Sequence, residues 1–488
     1  MVAPTDKILD YFEQLNAIPR CSKNEAPVCR WLEQWAGSHG FHSKTDAAGN
    51  LVVRIPAGKG YETAPLVVIQ GHMDMVCEKT PDSTHDFSKD PIVSHRDGEW
   101  VAAGDTTLGA DNGIAIAYAM VMAEDTVDRP ALELLFTVDE ETGLNGAKEL
   151  PPDFIDGRIL INLDSEDEGI FTIGCAGGID TRITLPFSTT MVPEEKAPYR
   201  LSVGELGGGH SGIDIHKGRG NANKILARLL TAISDQAPLR LSALKGGSKK
   251  NAIPRDAEAL FYMDASRFET VRKVVGALET DIAEELRHTD PGITIELMAL
   301  DRTPGNHEGL SERASRQVLD LLLALPNGVY GISAQAGGTV ETSCNLAVIR
   351  LADGSLTITS SQRSAAVSRL AEMTAMVQAV ASLAGAEAKD MDSYPPWPPD
   401  MRARLLERSI KVYRTLNGRA PEIQVIHAGL ECAVIGSIFP GMEMISFGPT
   451  IRNPHSPGER LHVPSIEKVW NFLLALLRSM KNGTNGAH

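Results

Sequence analysis

The sequence predicts an α/β protein: a mostly parallel sheet flanked by helices, interrupted by an inserted α+β segment. Three observations predict it. Short apolar runs alternate with helical patterns over the first 180 residues, and polar, strand-like stretches replace them from about Asp180. The turn-rich Ser393-Tyr394-Pro395-Pro396-Trp397-Pro398-Pro399 then closes the interruption, since consecutive prolines continue neither a helix nor a central strand.

In chain order, Ile8, Leu9, Phe12 and Leu15 share one helical face with Thr5 as the expected cap, and a second helix groups Val28, Trp31, Leu32 and Trp35. Residues 51–55 and 66–70 read as strands, 113–123 as a buried helix, and 132–138 and 158–163 as further strands. In the interruption, 199–203 and 356–359 read as strands and 223–235, 267–287 and 364–383 as helices, a pattern compatible with two similar halves. A helix (401–416), a strand (442–447) and a closing helix (466–480) follow the prolines. This tail completes the first layer, so residues 1–180 and 396–488 form one discontinuous domain and 181–395 an insert.

Composition narrows the function. Against 47 Lys and Arg stand 63 Asp and Glu, a net charge of −16, which disfavours nucleic acid or an anionic membrane as partner. No apolar run reaches the ~18–20 residues of a membrane helix. The first residues lack the basic and apolar regions of a signal peptide, so the expectation is a soluble, cytoplasmic protein. The six cysteines form no CxxC pair and read as reduced, mostly buried thiols.

A subset of the acids is placed for cations. The strand at 66–70 runs into Gly71-His72-Met73-Asp74, where His72 and Asp74 share a face and the carboxylate can fix the imidazole as a metal ligand. Asp111 opens the next helix, as an ordinary cap or as a ligand in a glycine-flanked turn. The third strand ends in Asp139-Glu140-Glu141, whose adjacent like charges call for a cation, and the fourth ends in Asp164. The acids after Asp164 are expected to face water. Strand tips bearing His/Asp, Glu/Glu and Asp put nitrogen and oxygen ligands on one sheet edge.

Several ordered motifs carry a resemblance over nearly the whole chain: Pro19-Arg20-Cys21-Ser22-Lys23-Asn24-Glu25, Gly71-His72-Met73-Asp74, Gly109-Ala110-Asp111-Asn112-Gly113, Asp139-Glu140-Glu141-Thr142-Gly143, Gly208-Gly209-His210-Ser211-Gly212 and Asn453-Pro454-His455-Ser456-Pro457-Gly458-Glu459. In these the sequence resembles the M20 family of metallopeptidases. The stretch at 211–224 and His427-Ala428-Gly429-Leu430-Glu431-Cys432 resemble its aminoacyl-histidine dipeptidase branch. The resemblance implies a zinc-peptidase-like catalytic domain and an inserted ferredoxin-like lid and dimerisation domain, single or doubled.

It further implies that His72 and Asp164 hold one divalent metal, that Glu141 and His455 hold a second, and that Asp111 bridges both. A cis peptide would follow Asp111. Zinc is the metal implied, with cobalt or manganese as alternatives. Asp74 would orient His72, Glu140 would be the general base for a metal-bridging water, and His210 would face the oxyanion, in its own chain or across a homodimer. Asn251 and Arg363 would grip substrate, a surface salt bridge being the other reading of Arg363. Glu431 would take the substrate's ammonium group or make a structural hydrogen bond. The activity implied is hydrolysis of unblocked dipeptides ending in histidine, β-alanyl-histidine (carnosine) included. An aminoacylase or carboxypeptidase of the same family, or a non-catalytic dipeptide-binding protein, are the alternatives.

Overall fold

The computed structural model describes residues 3–124, 128–302, 307–334 and 338–481. The chain divides into two compact units, Met1–Gly174 with Pro399–Val425 and Leu430–His488, and Cys175–Pro398 with Ile426–Gly429.

An eight-stranded sheet organises the first unit, in the order His42–Thr45, Leu51–Ile55, Leu132–Thr137, Val67–His72, Ile159–Asn162, Glu443–Ser446, Ile170–Cys175, Glu422–Ile426. Its four central strands are parallel, with Val67 opposite both Leu132 and Ile159. That register brings the carboxyl ends at His72, Thr137 and Asn162 out together, where ligands of such sheets bind. The two strands at 67–72 and 132–137 are buried along their whole length, which is why they read as largely apolar runs although Gln70 and Glu133 lie within them. The strands at 42–45 and 51–55 join one side antiparallel, and Ile170–Cys175 pairs antiparallel with Glu443–Ser446 on the other.

The helix Ala110–Glu124 is buried on nearly every side, and Pro4–Asn16 buries Ile8, Phe12 and Leu15. Thr5 is not a cap: Pro4, whose fixed φ suits a first helical position, starts the helix one residue earlier behind Ala3. The cysteine reading also needs correction. Cys21 and Cys77 form a disulfide, their Cα atoms 5.7 Å apart, because a backbone bridge sets Cys21 beside Met75. Cys29, Cys175, Cys344 and Cys432 are buried and stand outside this disulfide.

The second unit is one continuous antiparallel sheet made of two βαββαβ halves. One half comprises Lys196–Gly204, the helix Ala222–Gln236, Arg240–Gly246, Ala257–Asp264, the helix Phe268–Glu285 and Thr294–Ala299. The other comprises Gly177–Pro186, the helix Glu312–Ala324, Val340–Ala352, Ser355–Ser364, the helix Val367–Leu383 and Glu387–Tyr394. Within each half the strands lie in the ferredoxin-like order 4-1-3-2, and Arg240–Gly246 pairs with Val340–Ala352 to join them. Leu226, Leu230, Leu201, Phe261 and Ile358 share the core on the helix-bearing face. The strand over 355–364 runs through Ser364, which pairs with Gly177, so the following helix starts at Val367 and not at Ser364.

Candidate metal centre

The strand tips of the first unit converge on two imidazoles. His72, the fully buried last residue of its strand, has Nδ1 3.1 Å from the Asp74 carbonyl oxygen and 3.3 Å from Asp74 Oδ1, which leaves Nε2 to face other ligands. Nε2 lies 3.1 Å from Asp111 Oδ1 and 3.4 Å from Asp164 Oδ1. His455 Nε2 lies 3.0 Å from Asp111 Oδ2 and 3.1 Å from Glu141 Oε2. Asp111 therefore stands between the two rings and turns one oxygen to each. Its backbone (φ −83°, ψ 102°) is not helical, so its place is between the histidines and not as part of a regular first turn. The Asp111-Asn112 peptide is cis. Asn112 fastens the neighbouring tips, donating to Leu163 O at 3.0 Å and accepting from His72 N at 3.3 Å.

Glu140 and Glu141 leave the same tip in different directions, and both approach His72: the three side chains offer ligand atoms within 4.8 Å of one another. Asp74 fixes this loop, with Oδ1 accepting from Glu140 N at 3.1 Å and Oδ2 from Glu141 N at 3.2 Å. Burial alone would raise the Asp74 pKa, but the bonds from His72, Ser22 and Glu140 hold it at about 2. The other acids crowd one another. Burial, together with neighbouring acids, raises Glu140 well above the carboxylate range and raises Glu141 and Asp164 as well, although the histidines offset part of this. Glu166 is pushed up to about 8 by burial and by Asp111 and Asp164, so this later acid belongs to the cluster and does not simply face water. In turn, hydrogen bonds to Asp111 and Glu141 raise His455 to about 11.

A cluster of this kind asks for cations, and the residues fit them. Imidazole nitrogens and carboxylate oxygens are a donor set for Zn²⁺ and its neighbours. The spacings of 3.0–3.4 Å suit ligand atoms that would each lie about 2.0–2.2 Å from a shared ion. Glu141 Oε1 is buried without a hydrogen-bond partner.

Two charged residues that the motifs contained, but to which no role was attached, support this arrangement. Arg20 is buried and reaches three carbonyls of the site. Burial lowers its pKa to about 10 against the pull of Glu459, Asp74, Asp111 and Glu141, so it remains a cation at neutral pH. Glu459 accepts from Leu108 N (2.8 Å), Gly109 N (2.9 Å) and Asp111 N (3.1 Å), pinning the loop that presents Asp111. Their signal in sequence is a charged residue inside a motif whose ligands are already accounted for. Glu431 is buried, with Oε2 accepting from Gln70 Nε2 at 2.6 Å and Thr137 Oγ1 at 2.7 Å and Oε1 buried without a partner. Burial, with Asp164 and Asp74 nearby, raises it to about 7 although His72 and Thr137 pull the other way.

His210, Asn251 and Arg363 belong to the second unit. His210 Nδ1 accepts from Gly212 N and Ile213 N, which leaves Nε2 as the N–H of a neutral ring. Asn251 O accepts from Ser211 N at 2.8 Å, beside His210. Arg363 is no surface salt bridge: it is buried, donates to Tyr394 Oη at 2.6 Å, and keeps its Nε without a partner.

Comparison with known proteins places the chain among peptidases. Residues 204–290 match the peptidase dimerisation domain of M20 enzymes. The chain is 39% identical over 472 residues to the cytosol non-specific dipeptidase of Escherichia coli K12, covering 96% of this chain and 97% of that one. The crystal structure of aminoacylhistidine dipeptidase from Vibrio alginolyticus superposes with a TM-score of 0.88 at 36% identity, over 97% of this chain and 96% of that one. Human carnosine dipeptidase 1 shares the fold, with a TM-score of 0.51 at 12% identity over 98% of this chain and 96% of that one.

Proposed function

The chain belongs to the M20 family of metallopeptidases, in its aminoacyl-histidine dipeptidase branch, and from that premise we propose that it cleaves unblocked dipeptides, those ending in histidine foremost, β-alanyl-histidine among them. Members of this family are two-metal hydrolases. In this reading His72 and Asp164 hold one divalent ion, Glu141 and His455 the other, and Asp111 joins them, with zinc the ion of choice for such ligands. Bound there, the pair supplies a water made acidic near neutral pH and a polarised substrate carbonyl.

The chain's own residues do the rest. Asp74 accepts the Nδ1 proton of His72 and so keeps Nε2 a ligand. Glu140, whose pKa burial and the neighbouring acids raise, would take the proton of the attacking water at its carboxylate and return it to the departing amine. His210 Nε2–H would donate to the developing oxyanion. Arg363 and Asn251 would grip the substrate's carboxylate and backbone, and Glu431, with one oxygen uncommitted, its ammonium group. The 204–290 match supports a homodimer, and the name of the Escherichia coli relative supports a cytosolic enzyme.

The observation that carries the reading is the pair of imidazoles sharing Asp111 with Glu140 beside them. Its test is a dipeptide panel with metal-stripped and zinc-reloaded protein. Metal-dependent cleavage with a preference for C-terminal histidine is expected. Hydrolysis of N-acetylated amino acids in its place would overturn it.

A further inference from the structure

We infer that the segment 20–25 is a positioning clasp for the catalytic loops, in which Arg20, Ser22 and Glu25 act through the backbone and carboxylate they hold. This rests on the two-metal hydrolase reading. Arg20 is the anchor. Its Nη1 donates to Met73 O (3.2 Å) and Asp74 O (3.1 Å), and its Nη2 to Gly109 O (2.6 Å), so one rigid fork ties the loop after His72 to the loop before Asp111. Room is left for it: a Cβ on Gly109 or Gly113 would lie 2.5 or 2.6 Å from Arg20 Nη2.

Ser22 and Glu25 reach the third loop. Ser22 Oγ donates to Asp74 Oδ2 at 2.7 Å. Glu25 Oε1 accepts from Lys23 N at 2.8 Å and from Asp139 N at 2.9 Å. Asp139 has φ 50°, so the chain reverses at the residue whose amide Glu25 holds, immediately before Glu140. Three consecutive amides, those of residues 139, 140 and 141, thus end on Glu25, Asp74 and Asp74 again. The clasp carboxylate and the carboxylate it supports fix where Glu140 and Glu141 start from. Small displacements there translate into large losses of rate.

The test uses the full-length protein with Ser22→Ala, Glu25→Ala and Glu25→Gln, read by Co²⁺ titration calorimetry, kcat and KM on a dipeptide, and melting temperature. Ser22→Ala, which takes one donor from the carboxylate behind His72, is expected to weaken Co²⁺ binding by up to about tenfold, the lower end of the cost of losing that carboxylate itself. Glu25→Ala is expected to lower kcat about tenfold with little change in KM, and Glu25→Gln, whose amide oxygen still accepts, to recover most of it. Wild-type Co²⁺ affinity in Ser22→Ala together with wild-type kcat in Glu25→Ala would overturn the clasp. So would losses that follow melting temperature alone and are not rescued by Gln. A wild-type chain that binds Co²⁺ but leaves dipeptides intact would overturn the proposed function, and the calorimetry would still read the clasp.

Discussion

Glu140 and Glu141 are neighbours with the same chemistry, and only their directions separate them. Glu141 turns an oxygen to His455, while the cationic influence on Glu140 is the field of His72. Replacing Glu140 by Ala should therefore leave two bound metals, counted by elemental analysis, while kcat falls by about 10²–10⁴-fold, the span of general acid–base catalysis. Asp74→Ala should do the reverse and weaken metal binding, by about 10–100-fold in calorimetry, because it removes the carboxylate behind His72. A third residue titrates away from the metal ligands. His427 is buried, with Nε2 2.7 Å from Ser343 Oγ, and burial, with Arg363, His210 and His216 nearby, lowers it from 6.5 to about 3. The folded state holds this ring neutral while the unfolded chain protonates it below 6.5, so its stabilising effect is complete above that pH and is lost as pH falls toward 3. Thermal unfolding between pH 6.5 and 4 should show a shallower pH slope in His427→Gln than in wild type, by up to about 1.4 kcal/mol per pH unit.

Elements place these residues, and close approach between two of them is exacting. A Cβ on Gly71 would lie 2.4 Å from Asn112 Oδ1 and 2.7 Å from Ala115 Cβ, where the strand bearing His72 crosses the start of the helix bearing Asp111. Gly71→Ala should cost about 1–3 kcal/mol by overpacking, seen in urea unfolding, and should lower metal affinity by moving the two ligands apart. Much of this level was legible in the sequence. The central strands are buried on both faces and so announce themselves as apolar runs, and their tips carry the acids and histidine in plain view. The antiparallel pairings of 42–45, 51–55 and 170–175 were not legible, since pairing direction leaves no mark on a run of four to six residues. Nor was the Cys21–Cys77 link, whose partners are 56 residues apart and meet only through the bridge at Met75. Arg20 and Glu459 escaped a role for a similar reason: they bind backbone carbonyls and amides, which have no sequence signature.

On the scale of the whole chain, a net charge of −16 disfavours polyanionic partners but says nothing of the few acids that matter. Those are gathered where Asp111, Glu140, Glu141, Asp164, Glu166 and Glu431 raise one another's proton affinity or compete for two histidines. Binding cations there should stabilise the fold, and chelation should lower the melting temperature by the equivalent of about 4 kcal/mol where free metal had stood at 1,000 times its dissociation constant. The measurement closest to the central claim is a titration of metal-stripped protein with Zn²⁺, following hydrolysis of a histidine-ending dipeptide at each addition. The account predicts negligible turnover without metal and a plateau at two ions per chain. Full turnover in the stripped protein, or saturation with two ions and no cleavage, would contradict it.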